Sequence, residues 1–379
     1  MLGLLLASIM SVVNVFTDVS RKKVLDKQYD AGLISFWCKV IAFFSFAAAI
    51  GILMLTFGTR PELPDIGGKF HIPPLAAFII YLMLNAVLEG TAILLNLRAL
   101  QVSPISYCVP FMAFTPLFLL PAGKIFLGES ISAGMVIGVL MVVVGSLVVN
   151  RQLFSHGLLE PARAIVREKG SRYMVIVALL LTVTNVLDKW FVTSGGSVEL
   201  PVKISRALTL STGKCVMLAL FFLGLTVVRM GDWKAYKAKS IGLFKVARSF
   251  QWTHVFRDVP AWLILAGTLE AVVLVLQLMA MQYTEAALVI SIKRSGIVLA
   301  VALGWFVFKE RGITDRVIAS FVMLSGVLIF FLTKPGSADK PAMLGLTGAL
   351  VVATIALAGM AVALFITHKP LPPPADAKK

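Results

Sequence analysis

Charge is scarce in this chain. Only 14% of its 379 residues are Asp, Glu, Lys or Arg, and acidic residues are the rarer kind, 19 against 35 basic. A soluble globular chain carries about 25% charged and about 45–50% apolar residues. Here 59% are hydrophobic and the mean hydropathy is +0.92. A soluble fold is excluded; an integral, polytopic membrane protein fits. Cysteine is scarcer still. Cys38, Cys108 and Cys215 all lie in apolar runs with no CxxC, so no disulfide framework is expected. His71, His156, His254 and His368 fall in loops, at span edges or in the tail. None forms HExxH, which argues against a membrane metalloprotease. No Asp cluster or His/Asp acid–base group marks a membrane-embedded transferase either. No enzyme activity, cofactor or metal is therefore expected. The net charge of +16 reads as membrane topology rather than nucleic-acid binding.

What is present is a series of long apolar runs. A hydrocarbon core of ~30 Å needs ~20 residues of helix. Eleven spans are expected: 2–17, 32–57, 75–100, 105–127, 131–149, 173–192, 201–228, 261–281, 286–308, 313–332 and 343–365. The first resembles a signal peptide in length, but its charges, Arg21-Lys22-Lys23, follow the apolar core rather than precede it. Pro110, Pro116 and Pro121 interrupt the fourth. Between the seventh and eighth, Trp233, Tyr236, Phe244, Phe250 and Trp252 alternate with Lys234, Lys237, Lys239, Lys245 and Arg248. That stretch, 229–258, reads either as an amphipathic segment on an anionic membrane surface or as a basic loop. The chain divides into a five-helix unit over 1–150, a connector over 151–172 and a second five-helix unit over 173–333. An additional helix follows over 342–367, then a Pro-rich tail over 368–379.

Basic residues collect in the odd-numbered loops and the C-terminal tail, from Arg21, Lys22, Lys23 and Lys27 to Lys369, Lys378 and Lys379. The even loops hold far fewer, among them Arg60, Lys69, Lys124, Lys189 and Lys203. By the positive-inside rule the odd side is cytoplasmic, with the N-terminus outside and the C-terminus inside. No organelle-targeting segment is evident, so the expected location is a bacterial inner (plasma) membrane.

The most informative stretch is Ala286–Phe308, AALVISIKRSGIVLAVALGWFVF. Lys293 and Arg294 stand side by side near its middle, on the order of 12 Å from its start. Even mild insertion scales charge about 2.5–3.5 kcal/mol for one central Lys or Arg. Two together point to an anion site in a transport path. The alternatives are an internal salt bridge or a snorkelling side chain. Arg grips phosphate or carboxylate in bidentate fashion, and Lys adds a point charge. Lys39 and Lys214 also lie inside apolar runs and join the candidate substrate-binding set. Glu89 and Glu270 lie deep in the third and eighth spans, as charge-balancing groups or as proton-coupling sites. Glu129 and Glu310 sit at helix junctions, as caps or gate-side ion pairs. Asp18 and Asp188 read as interfacial, and Lys203 and Arg206 as snorkelling.

The two units repeat. Sliding the chain so that Glu89 falls on Glu270 also brings Gln101 onto Gln282, Gly123 onto Gly304, Glu129 onto Glu310 and Gly145 onto Gly326. Asn14 and Asn185 extend the match at a slightly shorter offset. The polar matches are the informative ones, since apolar coincidences are common in membrane spans. Five spans per unit would invert the second relative to the first, a signature of secondary transporters with a midplane site. Lys293 and Arg294 break the repeat: their counterparts are Met112 and Ala113.

The segments RALQVSPISYCVPFMAFTPLFLLPAGKIFLGESIS and MAMQYTEAALVISIKRSGIVLAVALGWFVFKERGIT resemble the helix-four and helix-nine signatures of EamA-type transporters, in the drug/metabolite transporter superfamily. The terminal Glu129 and Glu310 are the usual punctuation, and the resemblance runs through Thr333. It implies an all-α membrane protein of two inverted five-helix repeats, ten transmembrane helices, here with one extra C-terminal helix. The eleventh span and the outside N-terminus depart from the family's usual ten spans and inside termini. The Lys293-Arg294 pair resembles that of the sugar-phosphate translocators, which implies a phosphate-gripping role. The expected function is secondary transport of a small organic anion, phosphorylated or carboxylated, by alternating access. A flippase for a lipid-linked phosphate and a general amino-acid or metabolite exporter are the alternatives. The expected partners are the anionic substrate and the lipid bilayer, with no nucleic acid; a homodimer is compatible with the sequence.

Overall fold

The computed structural model describes residues 2–25, 31–58, 63, 73–102, 109–149, 168–194, 199–230, 260–296, 313–333 and 345–366. Among these, eleven α-helices follow one another: α1 (Leu2–Leu25), α2 (Ala31–Phe57), α3 (Pro74–Val102), α4 (Phe114–Leu127), α5 (Ala133–Val149), α6 (Lys169–Thr193), α7 (Leu200–Met230), α8 (Pro260–Met281), α9 (Ala286–Ser295), α10 (Ile313–Leu332) and α11 (Leu346–Ile366). Six of them are long and apolar enough to cross a membrane, and apolar stretches of 10–17 residues lie in α4, α5, α10 and α11. Helices suit this solvent because each satisfies its own backbone groups where no water is available. The large apolar side chains that stay exposed, such as Leu55, Phe44 and Ile125, face the lipid.

The helices differ from the expected spans at several ends. α1 continues past Thr17 through the basic run to Leu25, because Arg and Lys propagate a helix as readily as Leu does. α6 begins at Lys169, inside the stretch expected to be connector. The fourth span splits into a 3-10 turn, Val109–Ala113, and α4. Proline removes a backbone donor and clashes with the preceding turn, so Pro110 and Pro116 leave the α-helix to start late. The stretch at 229–258 begins in the last two residues of α7, and the rest of it lies outside the described residues. So do the end of the ninth span, Glu310 and the tail at 368–379.

The packing obeys an exchange rule. α1 packs along α8, and α6 along α3; α2 meets α8, and α7 meets α3; α4 meets α6, and α9 meets α1. α2 with α7, α4 with α9, and α5 with α10 are their own counterparts. Swapping the first five helices for the second five leaves this set unchanged. α11 lies outside it, against α5 and α10.

Glycines set how closely the helices approach. A Cβ on Gly138 of α5 would sit 2.6 Å from the Gly326 carbonyl of α10, and one on Gly326 would sit 2.5 Å from the Gly138 carbonyl. Small residues are what bring backbones together where lipid offers no hydrophobic drive.

Candidate functional site

The interior charges begin with α1. Leu5, Ile9, Val12 and Phe16 form its exposed apolar stripe. Asn14, Asp18 and Arg21 recur at helical spacing on roughly the opposite side, so they look into the bundle. Asp18 is nevertheless exposed, and Asn14 Nδ2 donates to its Oδ2 at 3.1 Å. Asp18 lies within electrostatic reach of Arg21, Lys293, Arg294 and Glu270.

Two reciprocal ion-pair clusters line this interior. In the first, Glu270 of α8 meets Arg21 of α1 at 2.5 Å and Lys39 of α2 at 2.7 Å. Gly267, one turn earlier on α8, makes the approach possible: a Cβ there would lie 2.7 Å from Ile41 and 3.1 Å from the Cys38 carbonyl. In the second, Lys214 of α7 meets Glu89 of α3 at 2.8 Å and Asp188 of α6 at 2.6 Å. Gly213 plays the matching part, where a Cβ would lie 2.6 Å from Leu82 of α3. Asp188 Oδ1 also accepts from the Tyr81 hydroxyl at 2.6 Å and Asn85 Nδ2 at 3.0 Å. Thus Lys39 of the first half pairs with Glu270 of the second, and Lys214 of the second with Glu89 of the first.

Asp188 corrects the interfacial reading: it is 1% exposed. The signal was available in Asn185, three residues earlier and on the same helix face. Arg21 likewise leaves the loop for an interior pair, because α1 continues beneath it. Arg206 is buried at the head of α7 and donates to the Ser194 carbonyl at 2.7 Å rather than reaching an interface. Lys203 stands 4.0 Å over the Tyr283 ring.

Lys293 and Arg294 end α9 and are half-buried. Among the described residues neither meets a carboxylate at ion-pair distance, unlike Arg21, Lys39, Lys189 and Lys214. Lys293 Nζ donates to Gln277 Oε1 at 2.8 Å, and Gln277 Nε2 donates to Asn185 Oδ1 at 2.9 Å. Arg294 Nε is buried with no hydrogen-bond partner among the described residues. α9 is held against α1 by Ser11 Oγ, which donates to the Ile292 carbonyl at 2.9 Å beside Gly296. The repeat counterparts, Met112 and Ala113, lie in the 3-10 turn.

At the other end of α9 the halves are tied together. Gly128, at φ 68°, turns the chain after α4, and the Glu129 N–H bonds the Gly123 carbonyl at 3.1 Å. A positive φ there favours glycine. The turn folds Glu129 back over Gly123, where a Cβ would collide with its carboxylate. Glu129 Oε1 accepts from Lys189 Nζ of α6 and, at 3.1 Å, from the Ala286 N–H that opens α9. Lys189 also donates to the Thr284 carbonyl at 2.8 Å. Lys189 was read as a loop cation; it is a buried tie. Among the described residues there is no group of three or more His, Cys, Asp or Glu suited to a metal ion.

Ionisable residues inside a membrane bundle are costly and mark candidate solute or ion pathways. Residues 1–151 match the EamA-like transporter family. The EamA match indicates a membrane transporter of small molecules and a multi-pass protein in lipid. The crystal structure of another protein superimposes with a TM-score of 0.56, covering 86% of this chain and 98% of its own at 14% identity. That likeness carries the fold alone. No curated protein sequence matches this chain.

Proposed function

We propose that this EamA-like protein is a secondary transporter of a small organic anion, with Lys293 and Arg294 as the binding pair. The observation that carries the reading is their lack of a carboxylate partner among the described residues, with Arg294 Nε buried and unpaired. A buried donor without an acceptor costs about 1–3 kcal/mol, more when charged. An incoming phosphate or carboxylate supplies that acceptor. Around it stand five cations, Arg21, Lys39, Lys214, Lys293 and Arg294, against four carboxylates, Asp18, Glu89, Asp188 and Glu270. The surplus is positive, as an anion requires. Lys39 and Lys214 line the cavity while paired, and serve the substrate by shaping its field.

Transport follows by alternating access between two inverted five-helix repeats. The exchange-symmetric packing supports that architecture, since two halves related by a pseudo-two-fold can trade conformations. In this reading the Glu129–Lys189 tie holds one end closed and the end that carries Asp18 gives access; the loop charges support a cytoplasmic side for that end, in an inner membrane.

The test is thermal-shift binding on the purified full chain. The panel is inorganic phosphate, hexose phosphates, dicarboxylates, polyprenyl phosphates and neutral amino acids, with the Lys293→Ala/Arg294→Ala variant alongside. A ligand at ~100 Kd stabilises by ~2.7 kcal/mol. An anion should raise the Tm of the parent and leave the variant unmoved. Equal responses, or responses to neutral compounds alone, overturn the anion site. A response confined to polyprenyl phosphates moves the cargo to a lipid-linked phosphate.

A further inference from the structure

The two reciprocal clusters share a Lys–Glu core but differ in their third member. Arg21 joins Lys39 and Glu270, leaving that cluster with net charge +1. Asp188 joins Lys214 and Glu89, leaving the other with net charge −1. Adding a proton to Glu270 would strand two cations together. Adding one to the Glu89–Asp188 pair brings its cluster to zero. Two carboxylates sharing one lysine cannot both be fully compensated, so one proton between them is the natural remedy.

The local geometry contains places for that proton. Lys214 aligns its hydrogen bond on Asp188 Oδ2 at 2.6 Å. Glu89 Oε2 lies 2.8 Å from the same ammonium but is buried without an aligned hydrogen bond. Glu270 Oε2 is similarly unaligned against Arg21, while its Oε1 accepts from Lys39, so this carboxylate faces two cations. More telling is Asn85. It is 1% exposed, its Nδ2 donates into the pair at Asp188 Oδ1, and its Oδ1 has no partner among the described residues. Half a turn of that amide exchanges donor for acceptor. The free Oδ1 then receives an O–H formed on Asp188.

We propose that Glu89 and Asp188, held by Lys214 and Asn85, bind and release one proton during the transport cycle. This deepens the transporter reading above and rests on it. In the step, a carboxylate oxygen of the pair takes a proton from hydronium: one O–H bond breaks on the hydronium, which leaves as water, one O–H bond forms on the carboxyl, and the cluster charge rises from −1 to 0; release is the reverse. The groups facing the pair are Tyr81 and Asn85 from α3, and Lys214 and Cys215 from α7; Lys39, Glu270 and Lys293 act on Glu89 across the cavity. The link to the substrate site is short. Asn185, one turn before Asp188 on the same face of α6, takes the Gln277 amide that also holds Lys293. An anion drawing Lys293 away from Gln277 disturbs the helix turn that carries Asp188.

The experiment is pH-difference infrared spectroscopy on the purified full chain in lipid nanodiscs, with the proton itself as the ligand. A protonated carboxyl shielded from water absorbs at higher frequency than one in water. On acidification the parent should gain that band. Glu89→Gln and Asp188→Asn should each abolish it, since one permanently neutral member leaves the other committed to Lys214. Glu270→Gln should retain it. Tyr81→Phe changes no charge but removes a donor from the ionised Asp188. It should move the band's midpoint to higher pH by about one to two units, and it keeps the test open if a charge variant fails to fold. A parent without the band, a band that survives either dyad variant, or an unmoved midpoint in Tyr81→Phe overturns the proposal. Lys293→Ala/Arg294→Ala should keep the band, so loss of the anion site and loss of the proton site are read separately.

Discussion

Glu270 holds two cations from two different helices, and Lys214 holds two carboxylates from two others. At the residue scale the consequence is that no single member can be removed cheaply. Taking one partner from a buried pair leaves an uncompensated charge and costs about 3–5 kcal/mol. Lys214→Met should therefore lower the Tm of the purified protein far more than Lys124→Met, whose parent residue sits in the last turn of α4. Adding Asp188→Asn to Lys214→Met should recover part of the loss, with a coupling of about 0.5–3 kcal/mol in the double-mutant cycle. Strict additivity would mean that Lys214 and Asp188 do not act as a unit. Asp18 is of another kind. It is exposed and faces the cavity, so Asp18→Asn should leave Tm nearly unchanged and act on ligand binding alone.

At the scale of elements the contact between α5 and α10 is decided by backbone atoms. Gly138 and Gly326 each leave less than 3.0 Å between a hypothetical Cβ and the facing carbonyl. No rotamer relieves a clash with main chain, so the helices must part. Gly138→Leu should destabilise by at least the ~1–3 kcal/mol of ordinary overpacking, read as a lower Tm and a shorter half-life in detergent. Gly51, with nothing within 4 Å of its Cβ position, is the matched control on α2. There, Gly→Ala should be neutral or slightly stabilising, because alanine is the better helix former. A Gly138→Leu protein as stable as the parent would mean the close contact is dispensable.

Considered whole, the described residues are tied together at one end of the bundle. Glu129 joins α6 and the start of α9, while Ser132 Oγ donates to the Thr333 carbonyl at 2.8 Å just after α10. The opposite end carries the exposed Asp18. Cutting the tie should shift the population toward the alternate state. In a background with the native cysteines replaced, Ala287→Cys lies fully buried behind the tie and should react slowly with a water-soluble thiol reagent. Adding Lys189→Met should raise that rate severalfold. An unchanged rate would show that the tie does not gate access.

Much of the architecture was legible in the sequence. Apolar run length located the helices that the described residues contain, six of them long and apolar enough to cross a membrane, because a bilayer requires about 20 apolar residues of any helix that crosses it. The matched glutamates pointed to the repeat, because charges in lipid are too costly to coincide by accident. Lys39 and Lys214 could have joined them, had the offset been allowed to change between the second spans and the third. Lys293 and Arg294 stood out for the same reason of cost. Tertiary structure alone decided the partners. Whether a cation is neutralised depends on which helix lies beside it, and that depends on where glycines let two helices cross closely. So Arg21 became an ion-pair partner once α1 proved longer than its apolar core, and Asp188 and Lys189, unremarkable near a span end, did so because Lys214 of α7 and Glu129 after α4 lie beside that end of α6. Lys39 and Lys214, equally conspicuous in sequence, were paired off, and the α9 cations were left without a carboxylate among the described residues. Composition and spacing report what a residue would cost in lipid; only the packing of helices determines what compensates it.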